Sequence, residues 1–199
     1  SDSPIGENGK RTITHTSSNT DDKAKGLVLL TAAGQVGKYI SVAQAIDGTR
    51  KASVISRFTS TGQLDTSFDS DGHVLISINT NDEVKGVIEL TSGNLLVYGN
   101  TSSSTDTQGF IAQIDTNGDA VTSFGNNGVF TTSSIPSNSI FFNEVTVDSS
   151  GKIIAVGILE SGSSSGLVVK LTLTGGLDVT FDSDGYLIGS TLNTYTSVT

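Results

Sequence analysis

The chain has 199 residues, among them 11 basic and 20 acidic ones, for a net charge of −9, and it lacks Cys, Met and Trp. This balance argues against nucleic acid and anionic membrane surfaces as partners, because both require clustered Lys and Arg. Without Cys there can be no disulfide and no thiolate metal site, and the acidic composition, rich in Ser, Thr, Asn and Gly, favours an extracellular or bacterial cell-surface protein.

The predicted elements are short strands separated by turns along the whole chain. Each strand is rich in Val, Ile, Leu or Phe and is bounded by Gly, Asn, Asp or Ser, as β-strands usually are. No segment keeps the apolar spacing of an amphipathic helix, and no apolar run approaches the roughly 18 residues of a membrane-spanning helix. We therefore expect almost no helix and no membrane insertion. In chain order the strands are predicted at 10–15, 26–30, 38–45, 52–58, 73–79, 85–90, 94–99, 109–115, 128–132, 143–147, 152–158 and 166–171.

One motif occurs three times. Phe68, Phe124 and Phe181 each precede an Asx-Gly pair by the same distance, and they are separated by 56 and 57 residues. A period of this length, with four predicted strands in each unit, indicates a repeat architecture in which each unit buries its apolar face against its neighbours. We predict an all-β array of three four-stranded β-propeller-type blades. A β-solenoid is the alternative, although its coils are usually nearer 20–30 residues long.

The repeat divides the chain, which we treat as one repeat domain over 1–199. The predicted divisions are 1–9 as the tail of a preceding repeat, 10–72 as repeat 1, 73–128 as repeat 2, 129–185 as repeat 3, and 186–199 as the start of a fourth repeat or a closing strand.

Two segments carry a resemblance to a known family. The first reads LDTSF at 64–68 followed by DG at 71–72, with Arg57 on the strand before it, and the second reads FGNNG at 124–128. Together they resemble the delta-60 repeat, a bacterial family of β-propeller-type repeats, and the resemblance extends over 9–185. It implies the fold and no particular activity.

The two ends of the array share one position in the repeat. Segments 10–15 and 186–189 both follow an Asx-Gly turn. Three blades are too few for a closed propeller, which typically has 4–8. We therefore expect self-association, or pairing with the remainder of a longer chain, through the terminal strands, and the product would be a ring or a filament.

The Asp-rich turns are weak calcium candidates. Asp69, Asp71, Asp182 and Asp184 offer carboxylates at the short spacing that hard cations require, and the first and third stand where the delta-60 family favours Gly. The EF-hand pattern is not met, however, because Ser67 occupies its first ligand position. We expect these side chains to shape turns. We predict no catalytic residue and no cofactor other than this weak calcium possibility.

A polar position recurs on the fourth predicted strand of each repeat. Arg57, Gln113 and Lys170 lie five residues before the Gly of the following turn. They could ring one face of the array and meet a ligand, or they could be solvated or paired locally. The middle repeat also has Ala120 and Val121 where the delta-60 family has Leu-Asp.

The remaining candidates are aromatic residues and histidines. Phe68, Phe124 and Phe181 are expected to pack between units, with an aromatic binding shelf as the alternative. His15 and His73 lie at the ends of predicted strands, where exposure is expected, and with two histidines and no Cys a zinc site would need carboxylates to complete it.

Two classes of function remain open. The preferred prediction is a non-enzymatic extracellular or cell-surface protein with a structural or adhesive role, which assembles through its blades. The alternative is a propeller that binds a carbohydrate or peptide, and an enzyme ranks last. The chain has 8 Phe, 4 Tyr and no Trp, few aromatic side chains for a carbohydrate shelf.

Overall fold

The structure, a computed structural model, describes residues 23–47, 50–103, 106–137 and 139–189. These residues form short strands and one 3₁₀ turn, Thr132–Ser134. Among them, no helix has the length and apolar character that crossing a membrane requires. The strands are β1 (Lys23–Leu29), β2 (Tyr39–Asp47), β3 (Arg50–Phe58), β4 (His73–Ile76), β5 (Asn81–Glu89), β6 (Leu95–Ser102), β7 (Thr107–Ile114), β8 (Val129–Thr131), β9 (Ser139–Val147), β10 (Ile153–Glu160), β11 (Ser164–Leu171) and β12 (Tyr186–Ile188).

The strands form three four-stranded antiparallel sheets, in which each strand pairs with its neighbour in the chain. Sheet 1 contains β1–β4, sheet 2 contains β5–β8 and sheet 3 contains β9–β12, and a single parallel pair between Lys51 and Asn81 links the first two. The prediction of three four-stranded propeller-type blades is confirmed. The solenoid alternative is wrong, because the pairing within each unit is antiparallel. The sheets described here do not close into a ring.

The boundaries of the sheets do not coincide with the boundaries of the sequence repeats. The strand after each Asx-Gly turn folds back onto the third strand, so β4 pairs with β3, β8 with β7 and β12 with β11. Tyr186–Ile188 is therefore the outer strand of sheet 3. The matching segment at 10–15 lies outside the described residues.

Two apolar cores hold the sheets together. We call the contact of sheets 1 and 2 the first joint, and that of sheets 2 and 3 the second joint. Leu95 and Val97 on β6 pack into the first joint, whereas Leu96 between them packs into the second. Because sheet 2 is covered on both faces, its central strand is apolar on both faces, as the sequence suggested.

Candidate functional site

The third and fourth strands of each sheet are linked by the same compact turn. We call it the docking turn, and its three copies are 65–72, 121–128 and 178–185. In the first copy, the N–H of Phe68 donates to the carbonyl of Asp65 at 3.0 Å, and the N–H of Gly72 donates to the carbonyl of Phe68 at 2.7 Å. Both bonds recur in the other copies.

The first two docking turns insert their phenylalanine into the next joint. Phe68 is 1% exposed and belongs to the core of the first joint, and Phe124 is 0% exposed and belongs to the core of the second. These two residues pack between units as expected. Each sheet is therefore anchored on the next one by an aromatic side chain.

A backbone hydrogen bond accompanies each anchor. The N–H of Asp69 donates to the carbonyl of Asn117 at 2.6 Å, and the N–H of Gly125 donates to the carbonyl of Thr174 at 2.8 Å. At the first joint a Cβ on Gly118 would lie 2.9 Å from the backbone N of Asp69. Only glycine lets the two turns approach this closely, and its φ of 103° also favours glycine.

The third docking turn has the same shape and makes neither contact. Phe181 is partly exposed and belongs to neither core. In the part of the chain that the structure describes, the N–H of Asp182 has no hydrogen-bond partner. The turn therefore presents an aromatic side chain and a free donor on the outer side of sheet 3.

The four calcium candidates lie in the first and third docking turns and are exposed. Asp71 accepts a hydrogen bond from the N–H of His73 at 2.8 Å, and Asp184 accepts one from the N–H of Tyr186 at 3.1 Å. Asp69 and Asp182 have φ values of 48° and 46°, so their backbone makes the left-handed bend. The described residues contain no group of three or more His or acidic side chains placed to hold a metal.

Arg57 forms a buried ion pair at the first joint. Its Nε donates to Oδ2 of Asp65 at 2.8 Å, and Lys38 Nζ lies 2.9 Å from the same oxygen. The guanidinium also bonds the carbonyl of Thr116 in sheet 2 and lies 4.6 Å above the centre of the Phe68 ring. Arg57 thus links its own docking turn to the next sheet.

Hydrogen bonds keep Asp65 ionised. Burial alone would raise its pKa, but hydrogen bonds from Ser67 and Lys38, together with the charge of Arg57, hold the pKa well below its usual value. Asp65 is 8% exposed. The charged pair therefore contributes to the stability of this joint most fully when the carboxylate is ionised.

Sheet 3 carries a related set of charges. Lys152 Nζ lies 3.1 Å from Asp178 Oδ2, and Lys170 Nζ lies 3.2 Å from Asp148 Oδ2. Hydrogen bonds from Ser150 and from the backbone N–H of Lys152 lower the pKa of Asp148. Arg57 and Lys170 are thus paired locally, each in its own unit.

Sheet 2 has uncharged residues at the same places. Asn94, Gln113 and Val121 occupy the repeat positions that carry a lysine, a cation and an aspartate in sheets 1 and 3. Gln113 is 8% exposed, and its side chain has no hydrogen-bond partner among the described residues. It borders a cleft of about 550 Å³ in the second joint, between the β5–β6 and β9–β10 turns.

This cleft was not among the sites predicted from the sequence. The available signal was the loss of all three charges in the middle repeat, including the replacement of Asp by Val121. Whether the loss of these charges opens a space depends on which residues of sheet 3 face them, and a single sequence does not show this.

His73 belongs to no cluster of metal ligands within the described residues. Nδ1 of His73 lies 2.8 Å from Oγ of Ser56, and its backbone N–H bonds Asp71. His15 lies outside the described residues.

One comparison with known proteins bears on this arrangement. The profile of a family described as "Domain of unknown function (DUF5122) beta-propeller" matches residues 149–181. The match covers β10, β11 and the start of the third docking turn. The chain is built of β-propeller-type repeats. No match was found among curated proteins.

Proposed function

We propose that this chain is a non-enzymatic extracellular or cell-surface protein of the delta-60 repeat type, with a structural or adhesive role, and that it assembles by docking blade on blade. The observation that carries the proposal is the unused third docking turn. Phe68 and Phe124 are buried by the sheet that follows, whereas Phe181 is not, although all three turns share one geometry.

Sheet 1 carries the surface that would receive this turn. The carbonyl acceptors for the first two docking turns belong to Asn117 and Thr174. Thr61 occupies the same repeat position in sheet 1, directly before Gly62, which has the required φ of 80°. The blade-to-blade contact inside the chain therefore serves as the template for a contact between chains.

The outer side of β1, at one edge of sheet 1, is also apolar. Leu27 and Leu29 pair with Ser41 and Tyr39 on β2. Between these two lies the core residue Ile40, and neighbouring residues of a strand point to opposite faces, so Leu27 and Leu29 point away from sheet 2. They are 69% and 62% exposed. An exposed apolar face on a sheet is typical of an interaction surface.

When the third docking turn of one chain binds sheet 1 of another, the contact between the two chains is head-to-tail. Such a contact closes into a ring if the rotation per unit allows it, and otherwise extends into a filament. Another copy of the chain, or further blades of a longer polypeptide, would bind in the same way. The extracellular location is supported by the acidic, Cys-free composition, and the non-enzymatic role by the absence of a nucleophile elbow or phosphate loop from the sequence.

The test is multi-angle light scattering over a concentration series. We expect the chain to associate as concentration rises, and Phe181→Glu to abolish the association. Val179→Glu is the matched control, because Val179 lies in the same turn, is 64% exposed, and has exposed counterparts in the two docked turns. A compact monomer at high concentration, or equal behaviour of the two variants, would contradict the proposal.

A further inference from the structure

The cleft at the second joint has no open counterpart at the first joint. It is about 550 Å³, which lies within the usual range for small-molecule sites. Leu90, Gln113, Gly151 and Leu173 line it. The four residues at the same repeat positions line a space at the first joint that leaves no room for a water molecule.

Two contacts close the first joint. Arg57 extends across it to the carbonyl of Thr116. Glu89 reaches back from sheet 2 and accepts hydrogen bonds from the N–H groups of Thr31 and Ala32 in sheet 1, at 2.7 and 3.0 Å. Arg57 lines the closed space of the first joint, and Glu89, which also borders the cleft of the second joint, holds its turn against sheet 1.

Both contacts are replaced at the second joint. Gln113 stands in place of Arg57, and Val147 stands in place of Glu89. Val147 cannot accept a hydrogen bond, and among the described residues no side chain of sheet 3 bonds the turn that begins at Thr91. The two substitutions together leave the joint open.

Gln113 is the strongest sign that something binds there. The residue is more than nine-tenths buried, whereas its amide, which has no hydrogen-bond partner within the described chain, stays accessible from the cleft that it lines. Its amide oxygen and amide N–H groups are therefore available to a molecule that enters the cleft. A ligand in the cleft would supply the missing partner.

The free polar groups of the cleft are uncharged. Besides Gln113, the hydroxyls of Thr91, Thr146 and Ser149 border it and have no partner in the described ranges. Amide and hydroxyl groups both donate and accept hydrogen bonds, as sugar hydroxyls do.

The charged residues and the apolar side of the cleft further restrict the class of ligand that it can bind. Oδ1 of Asp148 is occupied by Ser150 and by the N–H of Lys152, and Lys170 pairs with Oδ2. The described residues that line the cleft therefore offer no free cation for an anionic ligand. Ile88 and Leu173 give it an apolar side, against which the C–H face of a ring can pack.

We propose that this cleft binds a neutral mono- or disaccharide. Gln113 donates to and accepts from its hydroxyls, and the hydroxyls of Thr91 and Ser149 bond it at the rim. The site lies within the internal second joint, so it does not depend on the assembly proposed above.

The probes are glucose, galactose, mannose, N-acetylglucosamine and their disaccharides, together with sialylated and sulfated forms, immobilised as an array and presented to the full chain. We expect binding to at least one neutral probe and to none of the anionic ones. Titration calorimetry with the bound sugar should then show at least a tenfold weaker affinity for Gln113→Leu.

Two further variants make the result specific. Gln63→Leu changes the same residue type at an exposed site in sheet 1 and should bind as the parent does. Gln113→Arg with Val121→Asp rebuilds the ion pair of sheet 1 and should close the cleft and abolish binding. Gln113→Leu should melt close to the parent chain, because it removes no side-chain hydrogen bond made within the described residues.

Three outcomes would overturn the proposal. They are an array without any neutral saccharide bound, binding confined to the anionic probes, and equal affinities for Gln113→Leu and Gln63→Leu.

Discussion

The two phenylalanines Phe124 and Phe181 provide a test of the docking turn within one molecule. Phe124→Ala empties a site that is 0% exposed and enclosed by two sheets. Such a change usually lowers the free energy of unfolding by about 3–5 kcal/mol. Phe181→Ala removes the same atoms from a partly exposed site, where water fills the space, so we expect a loss of about 1 kcal/mol or less.

The assay is urea denaturation followed by tyrosine fluorescence and circular dichroism, at a concentration where the chain is monomeric. With a slope of about 2 kcal/mol per molar urea, Phe124→Ala should lower the midpoint by about 2 M. Phe181→Ala should shift it several times less. A loss below about 1 kcal/mol for Phe124→Ala, or equal losses at the two sites, would refute the argument.

Three other predictions follow from the same contacts. Chelation of calcium should leave the melting temperature unchanged, since Asp71 and Asp184 bond backbone N–H groups, and a drop of many degrees would restore the calcium hypothesis. Asp65→Asn should destabilise the chain at neutral pH. Because the folded-state pKa of Asp65 is lowered, its contribution to the free energy of unfolding is complete above the ordinary value of 3.8 and is lost as the pH falls below it. The stabilities of the parent and the variant should therefore converge in acid. Gly118→Ala should cost about 1–3 kcal/mol in thermal or urea unfolding, because its Cβ would press on Asp69 and its φ is positive, and an unchanged stability would contradict the close approach.

The periodic features of the fold could be predicted from the sequence. Recurring glycines mark the turns, and apolar runs such as 95–98 mark strands that are covered on both faces. The residues at which one sheet ends and the next begins were not predictable in the same way. A repeat can be divided at any point, and only the pairing of β4, β8 and β12 with the strand before each of them shows where one sheet ends.

The candidate sites follow the same distinction. Asp71 and Asp184 shape turns by bonds to residues close in sequence, so local chemistry was sufficient to anticipate them. Gln113 is different, because Val121 stands in its sheet where Asp65 pairs with Arg57 in sheet 1, and the cleft beside it is bordered by residues of sheet 3. Contacts between sheets depend on pairs of distant positions that change together, and one sequence does not reveal such pairs.

The absence of Cys from the chain allows the assembly to be tested by a single disulfide. Asp69 and Asn117 are joined by a 2.6 Å backbone hydrogen bond, which brings them close enough for cysteines at these positions to pair. Asp69→Cys with Asn117→Cys is therefore the internal control and should form a disulfide within one chain.

Asp182→Cys with Thr61→Cys places the same pair on the third docking turn and on the surface proposed to receive it. On mild oxidation, a non-reducing gel should show covalent dimers and larger species, which disappear when Phe181→Glu is added. Monomers alone, under conditions in which the control pair forms its disulfide, would contradict blade-to-blade assembly.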